Sequence, residues 1–221
     1  MVAVLNFAIV SILAFLPSIL WLLFFLKEDR NPEPKKLIAF TFCAGALASV
    51  PALLLQLAFQ KFIADPLGLF VLLVFGLALI EETFKFLAAY WSVKNEPAFD
   101  EPTDAMIYAI VAALGFATIE NLFIMGDKMA YLSLNSLIMG VSTLGFRFIG
   151  ATLLHSLASA FAGYYWAVKR IAFGLFVATL VHFIFNALVY KFENVSLIYP
   201  SIFLIFAAIF IFKDFSRLKN R

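Results

Sequence analysis

Residues 67–93 read LGLFVLLVFGLALIEETFKFLAAYWSV, an apolar run that is interrupted by Glu81, Glu82 and Lys85. At about 1.5 Å per helical residue, this run is long enough to cross a hydrocarbon core of about 30 Å. A charged side chain at that depth costs several kcal/mol unless it is paired or reaches water. The stretch therefore predicts a transmembrane helix whose three charged residues serve a function.

The rest of the chain has the same apolar character. Its 221 residues are 64% hydrophobic and have a mean hydropathy of +1.01, far above the values of soluble domains. Seven segments are long enough, or nearly so, to span a membrane: 5–26, 37–59, 67–93, 105–125, 145–168, 171–190 and 197–212. We predict an all-α, polytopic transmembrane helical bundle of about seven to eight spans, forming a single integral membrane domain over residues 1–221. Residues 129–142 are apolar but short, and we expect an interfacial helix or an extension of the fifth span.

The basic residues predict the orientation of the chain in the membrane. Eleven lysines and arginines fall in the first, third and fifth loops and the C-terminal tail, and three fall in the loops between them. Because cytoplasmic loops are enriched in lysine and arginine, we expect an outside N-terminus and a cytoplasmic C-terminus. This topology explains the net charge of +2, which gives no sign of nucleic-acid binding. The first apolar segment lacks a basic region before it, so we interpret it as a span and not as a cleaved signal peptide.

The only cysteine, Cys43, excludes an internal disulfide and a cysteine-rich metal site. We expect Cys43 to be a small buried apolar residue. Two further polar residues inside predicted spans, Gln56 and Arg147, are interpreted as packing or interfacial residues and are assigned no chemistry.

Polar side chains occur at a similar depth on four predicted spans. They are Glu81, Glu82 and Lys85 on the third span, Glu120 and Asn121 on the fourth, His155 on the fifth, and His182 and Asn186 on the sixth. Counted from the nearest cytoplasmic loop, the glutamates and histidines lie about 18 to 24 Å into the membrane. Each residue alone is compatible with helix packing, but their coincidence at one depth favours a functional site.

A pair of neighbouring carboxylates suits hydrolysis in a medium of low dielectric constant. Two such groups cannot both ionise easily, and Lys85, one turn after Glu81, favours the charge on one of them. The pair therefore offers a general base that activates water, and a histidine and an asparagine on facing helices can stabilise the oxyanion. Peptide-bond hydrolysis within the membrane fits this set.

Other functions use the same residues. In a metal-dependent mechanism the candidate ligands are Glu81, Glu82, Glu120, His155 and His182, and two histidines with one glutamate would leave a fourth position of zinc for water. The usual His-Glu-x-x-His signature is absent. A proton- or cation-coupled transporter and a non-catalytic membrane scaffold are the alternatives from other classes.

The order and spacing of the motifs resemble the PrsW family of intramembrane proteases, which belongs to the larger superfamily of CAAX prenyl endopeptidases and Abi proteins. The matching elements are Glu81-Glu82-x-x-Lys85, Phe116-x-x-x-Glu120-Asn121, His155 and His182-x-x-x-Asn186, together with a first loop that contains Asp29 and Pro32-Glu33-Pro34. The resemblance covers nearly the whole chain.

The resemblance implies an endopeptidase of a bacterial or archaeal plasma membrane that cuts a membrane protein, with an anti-sigma factor as the expected substrate of site-one cleavage. It implies that the doubled glutamate activates water with the support of Lys85, and that His182 and Asn186 stabilise the oxyanion. We predict in addition that Glu120 and His155 tune or deliver protons. Glu120 stands where the CAAX branch has a histidine, so a glutamate-centred and a metal-centred mechanism both remain open.

Overall fold

The computed structural model describes residues 2–63, 69–128, 133–192 and 198–220. Within these ranges the chain is helical and contains no β-strand, which confirms the predicted fold class. The helices are α1 (Val2–Phe25), α2 (Lys35–Phe62), α3 (Phe70–Val93), α4 (Pro102–Lys128), α5 (Leu134–Arg147), α6 (Leu153–Ala167), α7 (Ile171–Phe192) and α8 (Ile198–Lys219). A 3-10 turn, Leu26–Glu28, follows α1, and a π-helical segment, Phe148–Thr152, joins α5 to α6.

Most of these helices have the length and composition of membrane spans. Six described stretches qualify, namely Ala8–Glu28, Lys35–Phe62, Pro102–Asp127, Ile138–Ala167, Ile171–Phe192 and Ile198–Lys219. α3 has 24 residues, which is also sufficient length, but it carries Glu81, Glu82 and Lys85 in its interior. With α3 included, seven helical stretches are long enough to cross the membrane, and the orientation of the two termini remains a prediction.

The fifth span begins earlier than the sequence indicated. Ser133 starts α5 with a capping box, in which its hydroxyl accepts a hydrogen bond from Ser136 N at 3.1 Å and Ser133 N donates to the Ser136 hydroxyl at 2.9 Å. α5 then continues through the π-helical segment into α6, and the stretch of spanning length begins at Ile138, so residues 138–142 extend the fifth span. Residues 129–132 of the predicted short segment lie outside the described ranges.

α4 is the central helix of the bundle. Its residues 103–118 are all buried, and it packs against α1, α2, α3 and α6. The crossings are close: a Cβ atom added at Gly45 of α2 would lie 1.9 Å from the Ala112 carbonyl oxygen, and one added at Gly163 of α6 would lie 2.5 Å from that of Ala105. Small residues permit such approach between membrane helices. The central position of α4 brings its polar end into contact with several helices at once.

Cys43 corrects one expectation, because its side chain is exposed on the outer surface of α2. Thr41 and Gly45, two residues to either side, are buried. Two helical steps rotate the side-chain direction by about 200°, so Cys43 points away from the face that packs on α4. Its apolar character suits a lipid-facing position as well as a core position.

Candidate active site

Glu82 of α3 has donors at both carboxylate oxygens and is 1% exposed. The Lys85 ammonium, which is itself fully buried, donates to Glu82 Oε1, and the Ser159 hydroxyl donates to Glu82 Oε2 at 3.3 Å. His182 Nδ1 lies 2.7 Å from Oε1. Glu82 therefore connects α3 to α6 and α7 through a fully satisfied buried carboxylate.

Glu81, the preceding residue, has a different environment. Gln56 of α2 donates its amide to Glu81 Oε1 at 2.8 Å. Glu81 Oε2 is buried, yet it accepts no hydrogen bond from any residue in the described ranges. The nitrogen atoms facing it are His182 Nε2 at 3.7 Å and His155 Nδ1 at 3.9 Å. Glu81 thus presents one free carboxylate oxygen to two imidazole rings.

Each histidine has a second carboxylate on its other ring nitrogen. His155 Nε2 lies 2.9 Å from Glu120 Oε2, and His182 Nδ1 contacts Glu82 as described. A carboxylate partner favours the tautomer that has its proton on the contacted nitrogen, which leaves a lone pair on the opposite nitrogen. Both of these opposite nitrogens lie on the side of Glu81 Oε2, and His155 Nδ1 also contacts the Lys85 ammonium. The ring centroids are 5.2 Å apart and the rings are nearly perpendicular, at 86°.

Lys85 lies between the two carboxylate–histidine pairs. Its ammonium contacts His155 Nδ1 at 2.9 Å in addition to Glu82. The i, i+4 spacing allows Lys85 to pair with Glu81, but the observed partner is Glu82 at i, i+3. Both spacings place side chains on one helix face, and the tertiary environment selects Glu82 because that carboxylate points into the bundle.

Arg147, at the end of α5, is a site contact to which the sequence analysis assigned no chemistry. Its Nη2 lies 3.3 Å from Glu120 Oε2, and its Nε donates to Asn121 Oδ1. The Asn121 amide in turn donates to the Ala14 carbonyl and the Thr152 hydroxyl, both at 3.3 Å. Arg147 therefore fixes both polar residues of the α4 motif.

Gln56 was assigned no chemistry either, and Ser159 was not singled out. One signal could have identified Gln56 and Arg147, namely that each is polar within an apolar helix.

Of the eight residues predicted for the site, seven form one network of direct contacts. The eighth, Asn186, lies half-buried one turn beyond His182 on α7 and makes no hydrogen bond to the part of the chain that is described.

Three of these residues have the arrangement of a metal site. One ligand atom from each of Glu81, His155 and His182 lies within 4.8 Å of the other two. Glu82 and Glu120, which the sequence also offered as ligands, instead contact the outer nitrogens of the two histidines. Two imidazoles and one carboxylate are a donor set typical of catalytic zinc, and carboxylates behind the histidines are its usual support.

The comparisons with known proteins point to one family. A family model described as PrsW family intramembrane metalloprotease matches residues 33–212. Protease PrsW of Geobacillus kaustophilus is 32% identical over 167 residues, which cover 72% of this chain and 68% of that protein. Protease PrsW of Oceanobacillus iheyensis is 28% identical over 192 residues, or 82% of this chain and 83% of that protein.

Protease PrsW of Clostridioides difficile is 33% identical over 114 residues, which cover 50% of this chain and 48% of that protein. No solved structure shows a significant match. The family match extends from the first loop to α8 and contains every residue of the network except Ala14. On this evidence the chain belongs to the PrsW family of intramembrane metalloproteases and is a membrane-embedded peptidase.

Proposed function

We propose that Glu81, His155 and His182 form the reactive centre of this intramembrane protease, and that Glu81, not Glu82, takes part in the chemistry. One observation carries the proposal: Glu81 Oε2 is buried without a hydrogen-bond donor among the described residues, whereas both oxygens of Glu82 have donors. An oxygen that binds a metal ion or accepts a proton from water needs a free lone pair. Of the two adjacent glutamates, Glu81 has that lone pair.

The residues fit a zinc ion as the cofactor. Glu81 Oε2, His155 Nδ1 and His182 Nε2 would hold it, because their lone pairs face one another and Glu81 Oε2 otherwise remains unsatisfied. Zinc at this position would polarise the scissile carbonyl and make water acidic enough to attack at neutral pH. Lys85 would release its contact with His155 Nδ1 and retain its bond to Glu82.

Glu82 and Glu120 act as positioning residues for the two histidines. Each carboxylate accepts a hydrogen bond from one ring N–H, which fixes the tautomer and the orientation of the ring. Lys85 keeps Glu82 ionised in the bundle, and Arg147 holds Glu120 from the opposite side. The reactive atoms are therefore aligned by two ion pairs that lie behind them.

We assign a second role, proton transfer, to Glu120 through its Oε1 atom, because Oε2 is the oxygen that contacts His155 and Arg147. Its side chain is 27% exposed, against 13% for Glu81 and 0% for Glu82, so it is the carboxylate closest to entering water and substrate. Water attacks the carbonyl carbon, its proton passes to Glu120, and the proton then moves to the leaving amine as the C–N bond breaks. Asn186, whose amide has no partner among the described residues, supplies the hydrogen bond to the developing oxyanion.

The zinc assignment is tested by metal analysis of the purified protein. We expect about one zinc per chain in the parent and in Glu96→Gln, a control at an exposed loop carboxylate, and loss of zinc in Glu81→Gln and His155→Ala. Zinc retained in Glu81→Gln would contradict the proposed ligand set. If zinc-free protein cleaved a substrate at the parental rate in the presence of a chelator, the metal assignment would be wrong and Glu81 would be the general base.

The catalytic assignment is tested separately by activity. We expect Glu81→Gln to abolish cleavage of a single-span membrane substrate, with the protein folded and inserted as the parent. Glu81→Gln protein that cleaved at the parental rate would overturn both roles offered for this residue. Glu82→Gln is the matched comparison. It should retain the metal more readily than Glu81→Gln, because the oxygens of Glu82 contact no reacting atom.

The substrate is a membrane protein or peptide in a lipid environment, as the protease relatives imply. We propose an anti-sigma factor with a single span as the natural substrate, on the family resemblance, and the plasma membrane of a bacterium as the location, since the relatives are bacterial proteins. Co-expression with a tagged single-span anti-sigma factor should release a shorter tagged fragment that is absent with Glu81→Gln. If the protease cleaved another membrane protein but left the anti-sigma factor uncut, the proposed substrate would be wrong.

A further inference from the structure

A second acidic cluster lies at the opposite end of α4 from the active site. One carboxylate oxygen from each of Asp29, Glu101 and Asp104 lies within 4.8 Å of the other two. Asp29 belongs to the loop after the 3-10 turn, and the other two residues flank the N-terminus of α4. Asp104 precedes Glu120 by sixteen residues, which separates the two sites by roughly 24 Å along the helix.

Asp29, one of the three residues of this cluster, carries an unsatisfied oxygen. Its side chain is only 9% exposed. Oδ1 accepts a hydrogen bond from Asn31 N at 3.1 Å, but Oδ2 is buried and has no donor within the described ranges. A buried carboxylate oxygen without a partner is destabilising and is rare in folded proteins. A ligand that supplies positive charge at Oδ2 would remove this penalty.

The surroundings supply hydrogen bonds to the other carboxylates but no ion pair, although the charge of Lys219 acts on Asp29 from a distance. Asp104 Oδ2 accepts from the backbone amides of Asp100 and Glu101 at 3.0 and 2.7 Å, and Glu101 accepts from the Asn31 amide and the Thr103 hydroxyl. None of the three carboxylates forms an ion pair with a described residue. The nearby Lys219 ammonium pairs instead with Glu28 at 2.7 Å, and Arg30 donates to the Lys219 carbonyl.

Glu33 adds to the negative charge of the cluster. Burial raises the pKa of Glu33 to about 7, with the charges of Asp104 and Asp29 acting in the same direction, although Tyr108 donates a hydrogen bond to its carboxylate. Burial also raises the pKa of Asp29, and the charge of Glu101 contributes. Burial is the main cause of both shifts, and the neighbouring carboxylates add to it.

We propose that Asp29, Glu101 and Asp104 bind a hard divalent cation of the Mg²⁺ and Ca²⁺ class. The donor set is oxygen alone, which such cations prefer, whereas the active site offers two imidazole nitrogens and one oxygen. The bound cation joins the first loop to the N-terminus of α4, and it thereby stabilises the end of the helix that carries Glu120.

Thermal unfolding of the purified full-length protein in detergent tests the site. Mg²⁺ or Ca²⁺, added at matched ionic strength after chelation, should raise the Tm by about 5 °C or more at a hundredfold excess over its dissociation constant. Asp29→Asn and Glu101→Gln should lose this shift, and Glu96→Gln should keep it. Without the cation, Asp29→Asn should be at least as stable as the parent, because the oxygen of the introduced amide can still accept from Asn31 N.

Terbium luminescence measures binding directly at the same cluster. Tb³⁺ should bind the parent and Glu96→Gln and be displaced by Ca²⁺ or Mg²⁺, and the order of displacement identifies the preferred ion. Binding to Asp29→Asn should be at least tenfold weaker. Absence of a Tm shift with either ion, or equal terbium binding by the parent and Asp29→Asn, would overturn the proposal without affecting the assignment of the active site.

Discussion

Glu81 and Glu82 are chemically identical, but their side chains leave α3 about 100° apart and meet different neighbours. Glu82 points into the bundle, where Lys85 and Ser159 satisfy both of its oxygens. Glu81 points towards the two histidines and keeps one oxygen free. An isolated carboxylate would be too costly at this depth, so the pairing of Glu82 with Lys85 is what makes the doubled motif tolerable within a membrane.

The Glu82–Lys85 pair should be essential for stability. Lys85→Met leaves an ionised Glu82 uncompensated in the bundle, and we expect a loss of about 3–5 kcal/mol, measured by thermal or denaturant unfolding in detergent. The double variant Glu82→Gln with Lys85→Met removes both charges and should recover much of that loss. Equal destabilisation by the single and the double variant would show that the packing of Lys85, and not its charge, is what matters.

Arg147 should affect catalysis through Glu120. Arg147→Met removes both contacts to the α4 motif, and we expect activity to fall about 10- to 100-fold, as is typical for residues behind the reactive groups. Arg147→Lys keeps the charge but cannot contact Glu120 and Asn121 in a fixed fork, so it should restore only part of the activity. Arg170→Met, at an exposed arginine, is the control, and a similar loss there would contradict the assignment.

At the scale of the helices, α4 decides where the candidate active site forms. It is surrounded by other helices along residues 103–118, and its following turn places Glu120 and Asn121 against α6 and the end of α5. The π-helical segment lies between Arg147 and His155, and the Phe148 carbonyl accepts a hydrogen bond from the Trp21 indole at 2.8 Å. Such segments widen a helix locally and frequently occur at functional sites.

The close crossing of α4 and α6 gives a prediction at the same scale. Gly163→Ala places a Cβ atom 2.5 Å from the Ala105 carbonyl oxygen, so the helices must separate, and we expect a loss of about 1–3 kcal/mol. Gly126→Ala, near the end of α4, meets no heavy atom within 4 Å and should be neutral or stabilising by about 0.5–1 kcal/mol. If the two variants had the same unfolding midpoint, this account of the crossing would be wrong.

At the scale of the whole molecule, seven helical stretches fit the predicted orientation, because an odd number of spans places the termini on opposite sides. Reporter fusions test it: a fluorescent protein fused after Arg221 should fold and fluoresce, and alkaline phosphatase at the same position should be inactive. Both reporters should give the opposite result when they are inserted between α2 and α3, a connection that we expect to face the outside. Active phosphatase at the C-terminus would reverse the topology.

The membership of the chain in a protease family resolves the choice that the polar residues left open. A transporter with buried carboxylates and histidines would have the same composition, and the predicted convergence at one depth did not distinguish the two functions. The family match and the relatives decide for the protease. The free Glu81 oxygen between two histidine nitrogens is a feature that depth alone did not reveal.

The sequence by itself determined the class of the protein, its helical fold and most of the residues that meet at the site. Apolar runs of membrane-spanning length leave the backbone no alternative to helices, and ionisable residues within such runs are rare enough to be recognised singly. Only the tertiary structure decided that Lys85 pairs with Glu82, that Arg147 and Gln56 belong to the network, and that Glu81 keeps a free oxygen. These outcomes depend on the rotation and spacing of neighbouring helices, which contacts between residues distant in sequence determine.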